Sequence, residues 1–113
     1  MHEMSIAVNI ADISLQEAQK AGAVKINSIV LELGSLSGIM ADALQFCFSS
    51  AVKSTIAETA VLEIIEQQAR AVCSACGHEF DADQIVPLCP KCSELVFDVQ
   101  GGRDLKIKSI NVD

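Results

Sequence analysis

Two CxxC pairs near the C-terminal end constrain this 113-residue chain more than any other feature: Cys73-Ser-Ala-Cys76 and Cys89-Pro-Lys-Cys92, with twelve residues between them. A CxxC turn presents two sulfurs to one side of an ion, and the intervening segment folds back to bring the second pair across. Four thiolates then close a tetrahedral cage, and zinc is its usual occupant, with Zn–S of about 2.3 Å and no open position. The spacing does not separate zinc from iron in such a cage. A disulfide framework or a redox CxxC is the weaker alternative. The N-terminus, Met-His-Glu-Met-Ser, lacks the basic stretch and apolar run of a signal peptide, and in a reducing compartment thiols stay free. No segment approaches the roughly 20 apolar residues that span a bilayer. A soluble cytoplasmic protein, with no membrane partner, is expected.

Half of the residues are apolar, so the chain folds, yet it contains no Trp, no Tyr and only four Phe. The core must therefore be aliphatic. The formal charge of −7 argues against nucleic-acid binding, which draws on clustered Lys and Arg. The densest basic group, Arg103, Lys106 and Lys108, is interleaved with apolar positions.

Periodicity supplies the elements. Residues 4–21 form a wide apolar helical stripe (Met4, Ile6, Val8, Ile10, Ala11, Ile13, Leu15, Ala18), with Lys20 in the last turn and Gly22 as the C′ cap. Residues 24–33 are β-branched-rich and predict a strand, broken by Gly34-Ser-Leu-Ser-Gly38. A second helix is predicted over 41–53, with Met40, Leu44, Cys47, Phe48, Ala51 and Val52 on one face, and a second strand over 60–70. The segment 77–87 has no helical period and predicts a hairpin or loop. Short strands follow at 95–99 and 105–112, the last with a change of phase at Ser109-Ile110 that suggests a bulge. The fold class is α+β: two helices packed on a small, about three-stranded, mainly antiparallel sheet, with an inserted zinc-ribbon-like lobe. Residues 1–70 plus 96–113 would form the α+β body and 71–95 the zinc lobe, which has so little core that it needs the ion. Structural zinc contributes about 10–16 kcal/mol to the folding of such segments.

A second metal site is offered by Met1-His2-Glu3. The α-amine, the His2 amide nitrogen and the His2 imidazole can form fused chelate rings, an all-nitrogen, nearly planar set suited to Ni(II) or Cu(II), with Glu3 adding a carboxylate or amide nitrogen. On spacing alone a frayed, unoccupied terminus is the default. Taken together, Met1-His2-Glu3, the following amphipathic helix, Gly34-Ser-Leu-Ser-Gly38, Phe46-Cys-Phe48 and the late CxxC-x12-CxxC resemble the HypA/HybF family of nickel metallochaperones for [NiFe]-hydrogenase maturation. The resemblance spans the chain. It implies that Met1, His2 and Glu3 carry Ni(II) as cargo and that Cys73, Cys76, Cys89 and Cys92 carry structural Zn(II). It also implies delivery to the [NiFe]-hydrogenase large subunit precursor, with a HypB-type GTPase as partner and no enzymatic activity of the chain's own. It leaves monomer and homodimer both open. The alternative is a zinc-ribbon module that binds protein or nucleic acid.

The remaining candidates have structural readings. Cys47 lies on an apolar helical face as a core thiol. His78 follows the first knuckle as a turn residue or a donor to a thiolate, and its ordinary titration range makes it a candidate pH-sensitive neighbour of the cage. Asp42 suits a helix N-terminus, with an outer nickel ligand as the remoter option. Asp81 and Asp83 fit a solvated hairpin face. With both histidines assigned, no nucleophile–base arrangement is present in the sequence.

Overall fold

A computed structural model describes residues 3–113, whose elements run α1 (Glu3–Lys20), β1 (Ile26–Gly34), α2 (Ala41–Ala51), β2 (Val61–Gln67), β3 (Ala69–Val72), β4 (Glu79–Ala82), β5 (Asp98–Gln100) and β6 (Leu105–Val112). They form two three-stranded sheets, ordered β2-β1-β6 and β4-β3-β5. The chain divides into two compact units. The first comprises 1–31, 39–65 and 106–113, and the second comprises 32–38 and 66–105. The second unit is thus wider than the 71–95 segment: it takes in the end of β1 and the turn after β5.

In the first unit α1 ends as its sequence requires. Ala23 N–H donates to Ala18 O (2.9 Å) and Gly22 N–H to Gln19 O (3.0 Å), with Gly22 at φ +69°. These are the two bonds of a Schellman cap, and the left-handed residue costs a glycine little. The buried face of α1 is narrower than the stripe in the sequence. Ile6, Ala7, Ile10, Ala11, Ser14 and Ala18 are buried, whereas Met4, Val8 and Ile13 stand exposed. Small side chains on that face let α1 and α2 approach closely. Around them gather Leu44, Phe48 and Val52 of the α2 segment, Ile26, Ile29 and Leu31 of β1, and Leu62 of β2. The core is aliphatic apart from one Phe, as the composition demands. Gln45 Nε2 of α2 donates to Leu62 O at 2.6 Å, which ties helix to strand.

The strand directions follow from the bonds at the ends of β1. Val24 N–H donates to Asp113 O and Gly34 N–H to Asp104 O, so β6 runs antiparallel to β1. Ile26 N–H donates to Ile56 O, ahead of β2, and Ser35 N–H to Gln67 O at its end, so β2 runs in the same sense as β1. The first sheet is therefore mixed, with α2 as the crossover a parallel pair requires. The second is wholly antiparallel, with Ala71 opposite Phe80 of β4 and Val99 of β5.

The single strand expected over 60–70 is two strands in different sheets, parted at Gln68. The reason lies in the second unit. Its core is Ala69, Ala71, Cys73, Ala82, Cys89 and Val96, with Leu36, Phe80 and Val99 against it. Small alanines at alternate positions of β3 let backbones come close. Ala69 N–H donates to Ser35 Oγ (3.3 Å) and Leu36 N–H to Gly102 O (2.6 Å). Gly102, at φ +72°, lies so near that an added Cβ would sit 2.6 Å from Ala69 Cβ and 2.8 Å from its nitrogen. A Cβ on Gly34 would overlap the Gly102 carbonyl. Two glycines and a turn thus lock the end of β1 to the start of β3.

Candidate metal centre

The two CxxC turns are built alike. Cys73 N–H donates to His78 O and Cys89 N–H to Glu94 O, both at 2.9 Å. Gly77 N–H donates back to Cys73 O (2.7 Å) and Ser93 N–H to Cys89 O (2.9 Å). Four residues after its first cysteine each turn enters the left-handed region, at Gly77 (φ +76°) and Ser93 (φ +64°). In each turn the first cysteine is buried and the second exposed. The buried thiol of one turn meets the exposed thiol of the other: Cys73 Sγ lies 3.5 Å from Cys92 Sγ, and Cys76 Sγ lies 3.6 Å from Cys89 Sγ.

All four sulfurs lie within 4.8 Å of one another, and among the described residues this is the one cluster of metal-ligating side chains. A disulfide needs sulfurs about 2.05 Å apart, so the thiols are free. A tetrahedron with metal–sulfur distances of about 2.3 Å has S···S edges of about 3.8 Å, close to those found. The quartet fits Zn(II).

The thiols in contact are also unequal. At Cys89 burial opposes ionisation, but the N–H groups of Cys92 and Lys91 and the sulfurs of Cys76 and Cys92 overcome it and bring the thiol down to about 7. At Cys92 the Glu94 N–H favours the thiolate, yet Cys73, burial, Cys89 and Cys76 together push it up to about 12. Cys76 is raised despite the His78 N–H, through burial and its contacts with Cys89 and Cys73. Crowded sulfurs resist ionising together, and a dication at their centre removes that repulsion.

The other sequence-based candidates fall elsewhere. Met1 and His2 lie outside the described residues. Glu3 opens α1, and its Oε2 accepts a long bond (3.5 Å) from Met40 N–H at the N-cap of α2. Met40 has no side-chain cap to offer, so the Glu3 carboxylate faces a helix N-terminus that favours negative charge. Asp42 lies in the first turn of the same helix. Cys47 is half-buried on α2. His78 stacks on Phe80 with ring centroids 5.7 Å apart. Asp81 accepts from Arg70 Nη1 at 2.7 Å.

A family profile described as hydrogenase/urease nickel incorporation, metallochaperone, HypA matches residues 1–112. The chain belongs to the HypA family. It is 44% identical over 113 residues to the hydrogenase maturation factor HypA of Chlorobium luteolum, covering 100% of this chain and 97% of that protein. It is 38% identical over 113 residues to the hydrogenase maturation factor HypA 2 of Bradyrhizobium diazoefficiens, covering both in full. Its fold is similar to the solution structure of the nickel metallochaperone HypA from Helicobacter pylori, with a TM-score of 0.68 at 22% identity over 99% of this chain and 97% of that one. Membership makes the chain a hydrogenase maturation factor of a nickel metallochaperone family, which carries a metal and catalyses no reaction on a substrate. Among the described residues no helix is long and apolar enough to cross a membrane.

Proposed function

We propose that this member of the HypA family binds Ni(II) at its N-terminus and hands it, in the cytoplasm, to the large subunit precursor of a [NiFe]-hydrogenase, with a HypB-type GTPase as partner. The ligands are the Met1 α-amine, the amide nitrogen and imidazole of His2, and Glu3. Cys73, Cys76, Cys89 and Cys92 hold Zn(II) structurally. The observation that carries the reading is the coincidence of Met1-His2-Glu3 with a four-cysteine cage in a chain matched by the nickel-incorporation family over residues 1–112.

The division of labour follows from ligand chemistry. A nitrogen-rich planar set suits Ni(II), and a four-sulfur tetrahedron suits Zn(II), so each metal is drawn to its own site. A cargo site made of few groups at a chain end can be opened by a partner without unfolding a domain, whereas a four-thiolate cage has no free position for exchange. The Glu3 carboxylate, itself one of the proposed cargo ligands, accepts a long bond (3.5 Å) from Met40 N–H at the N-cap of α2. The nucleic-acid alternative is disfavoured by charge. Of the chain's fifteen carboxylates and eight Lys and Arg, eight and three fall in the second unit, the one that carries the cage.

The test is nickel titration of untagged protein, followed by metal analysis. His2→Ala, or acetylation of the Met1 amine, is expected to abolish Ni(II) uptake while one zinc per chain remains. Nickel affinity unchanged in both forms would end the proposal.

A further inference from the structure

The segment between the two β-strands β4 and β5 contains a small ribbon whose outward face is unexplained by metal binding. Leu88 and Leu95 are antiparallel partners, and Val96 N–H donates to Pro87 O at 2.9 Å. Val86 and Phe97 each lie two residues beyond this bridge. Strand residues alternate faces, so Pro87, Cys89 and Val96 point inward, where all three are buried. Val86, Leu88, Leu95 and Phe97 point outward, with 38%, 61%, 56% and 76% of their surface exposed. A ribbon with one face turned to a core and the other to water normally carries polar side chains on the wet face. Here both faces are apolar, and the inner one already holds a cage cysteine.

The rim supplies the second observation. Glu94 and Asp98 adjoin Leu95 and Phe97 in sequence, Asp83 lies three residues before Val86, Lys91 is the one cation between them, and none of the three carboxylates has a cationic partner among the described residues. The unit as a whole has eight carboxylates against three Lys and Arg. A Zn(II) held by four thiolates would make it more negative by two. Such a charge repels a second copy of the same surface and attracts a cationic one. Contiguous exposed apolar side chains rimmed by polar ones mark interaction sites.

We propose that the outer face of the 86–97 ribbon docks a basic amphipathic segment of a partner protein, one that presents Lys or Arg beside large apolar side chains. Apolar anchors meet Leu88 and Phe97, and the cations meet Asp83, Glu94 and Asp98. The inference rests on the ribbon alone and does not depend on where nickel binds.

The test uses the zinc-loaded full chain and three short labelled peptides, Leu/Lys, Ser/Lys and Leu/Glu, read by fluorescence anisotropy. The Leu/Lys peptide is expected to bind saturably and to weaken as salt shortens the screening length from about 10 Å at 0.1 M toward 3 Å at 1 M. Ser/Lys is expected to bind far more weakly and Leu/Glu not at all. Leu88→Ser with Phe97→Ser should weaken Leu/Lys binding by roughly tenfold or more, the loss expected of two apolar anchors. Asp83→Asn, Glu94→Gln and Asp98→Asn together should weaken it and flatten its salt dependence. Zinc content and melting temperature check the fold of each variant. Equal affinity of the Leu88/Phe97 variant and the parent for Leu/Lys overturns the proposal, as does equal binding of Leu/Glu. So does a parent dimer, by sedimentation, that the same variant dissolves. Should the variant lose zinc, amide shifts of the parent on titration with Leu/Lys decide: shifts centred on 86–97 support the site, and shifts elsewhere overturn it.

Discussion

Ser14 and Ser93 each sit where a serine fits poorly. Ser14 Oγ is buried in α1 without a hydrogen-bond partner among the described residues. An unsatisfied buried hydroxyl costs about 1–3 kcal/mol, and Ala has the higher helix propensity. Ser14→Ala is therefore expected to stabilise the protein by about 1 kcal/mol, seen as a higher midpoint in urea unfolding. Ser93 occupies, at φ +64°, the position that the first turn gives to Gly77. Glycine enters that region without a Cβ penalty. Ser93→Gly should tighten zinc retention by roughly fivefold, equivalent to about 1 kcal/mol, measured by competition with a chromophoric chelator. A fall in retention would mean that the Ser93 side chain contributes something its geometry does not reveal. Neither residue was legible beforehand. A serine at helical spacing reads as solvated until the helix's neighbours are known, and the left-handed turn at Ser93 follows from closing the second knuckle like the first.

Among the elements, the helices and β6 lie close to where periodicity placed them, and the parting of 60–70 into β2 and β3 does not. A run of alternating apolar residues cannot tell which sheet each half will join. That choice is made by Gly34, Gly102 and Ala69, which bring three backbones together where no side chain fits. Gly102→Ala meets both a left-handed φ and a Cβ 2.6 Å from Ala69 Cβ. It should destabilise the second unit by about 2 kcal/mol or more and loosen hydrogen-exchange protection at Ala69 and Ala71 first. In α1 the sequence shows a wide stripe, and the structure buries only the part bearing the small residues. Ile13 is left at the mouth of a groove of about 470 Å³ shared with Ile107 and Ile110 of β6. The apparent change of phase in β6 is present as a slip in exposure at Lys108-Ser109, within a strand that continues unbroken.

For the whole molecule, the two units differ in what holds them. The first buries large Ile, Leu, Val and Phe side chains beside its alanines, whereas the second has four small or medium apolar residues around two cysteines of the cage. Structural zinc supplies about 10–16 kcal/mol in such segments, more than this second core can. Removing the metal with a strong chelator should therefore unfold the second unit and leave α1 and α2 intact, giving loss of amide dispersion for 66–105 with helical circular dichroism preserved. Acid should do the same. Protons compete with metal for sulfur, so affinity falls as pH drops; with Cys89 ionising near 7 and Cys92 near 12 in the metal-free cage, apparent zinc affinity should still be rising with pH well above neutrality. A pH-independent affinity from 6 to about 8 would contradict thiolate ligation. The cage can be read along the chain, because ligand type and spacing are local. So can the α+β class and the aliphatic core, which follow from periodicity and composition. Where one strand becomes two, and which face of the 86–97 ribbon meets water, is set by long-range packing. Those choices depend on which backbones come into contact across long sequence separations, and a shift of one residue in register would turn each side chain to the opposite face.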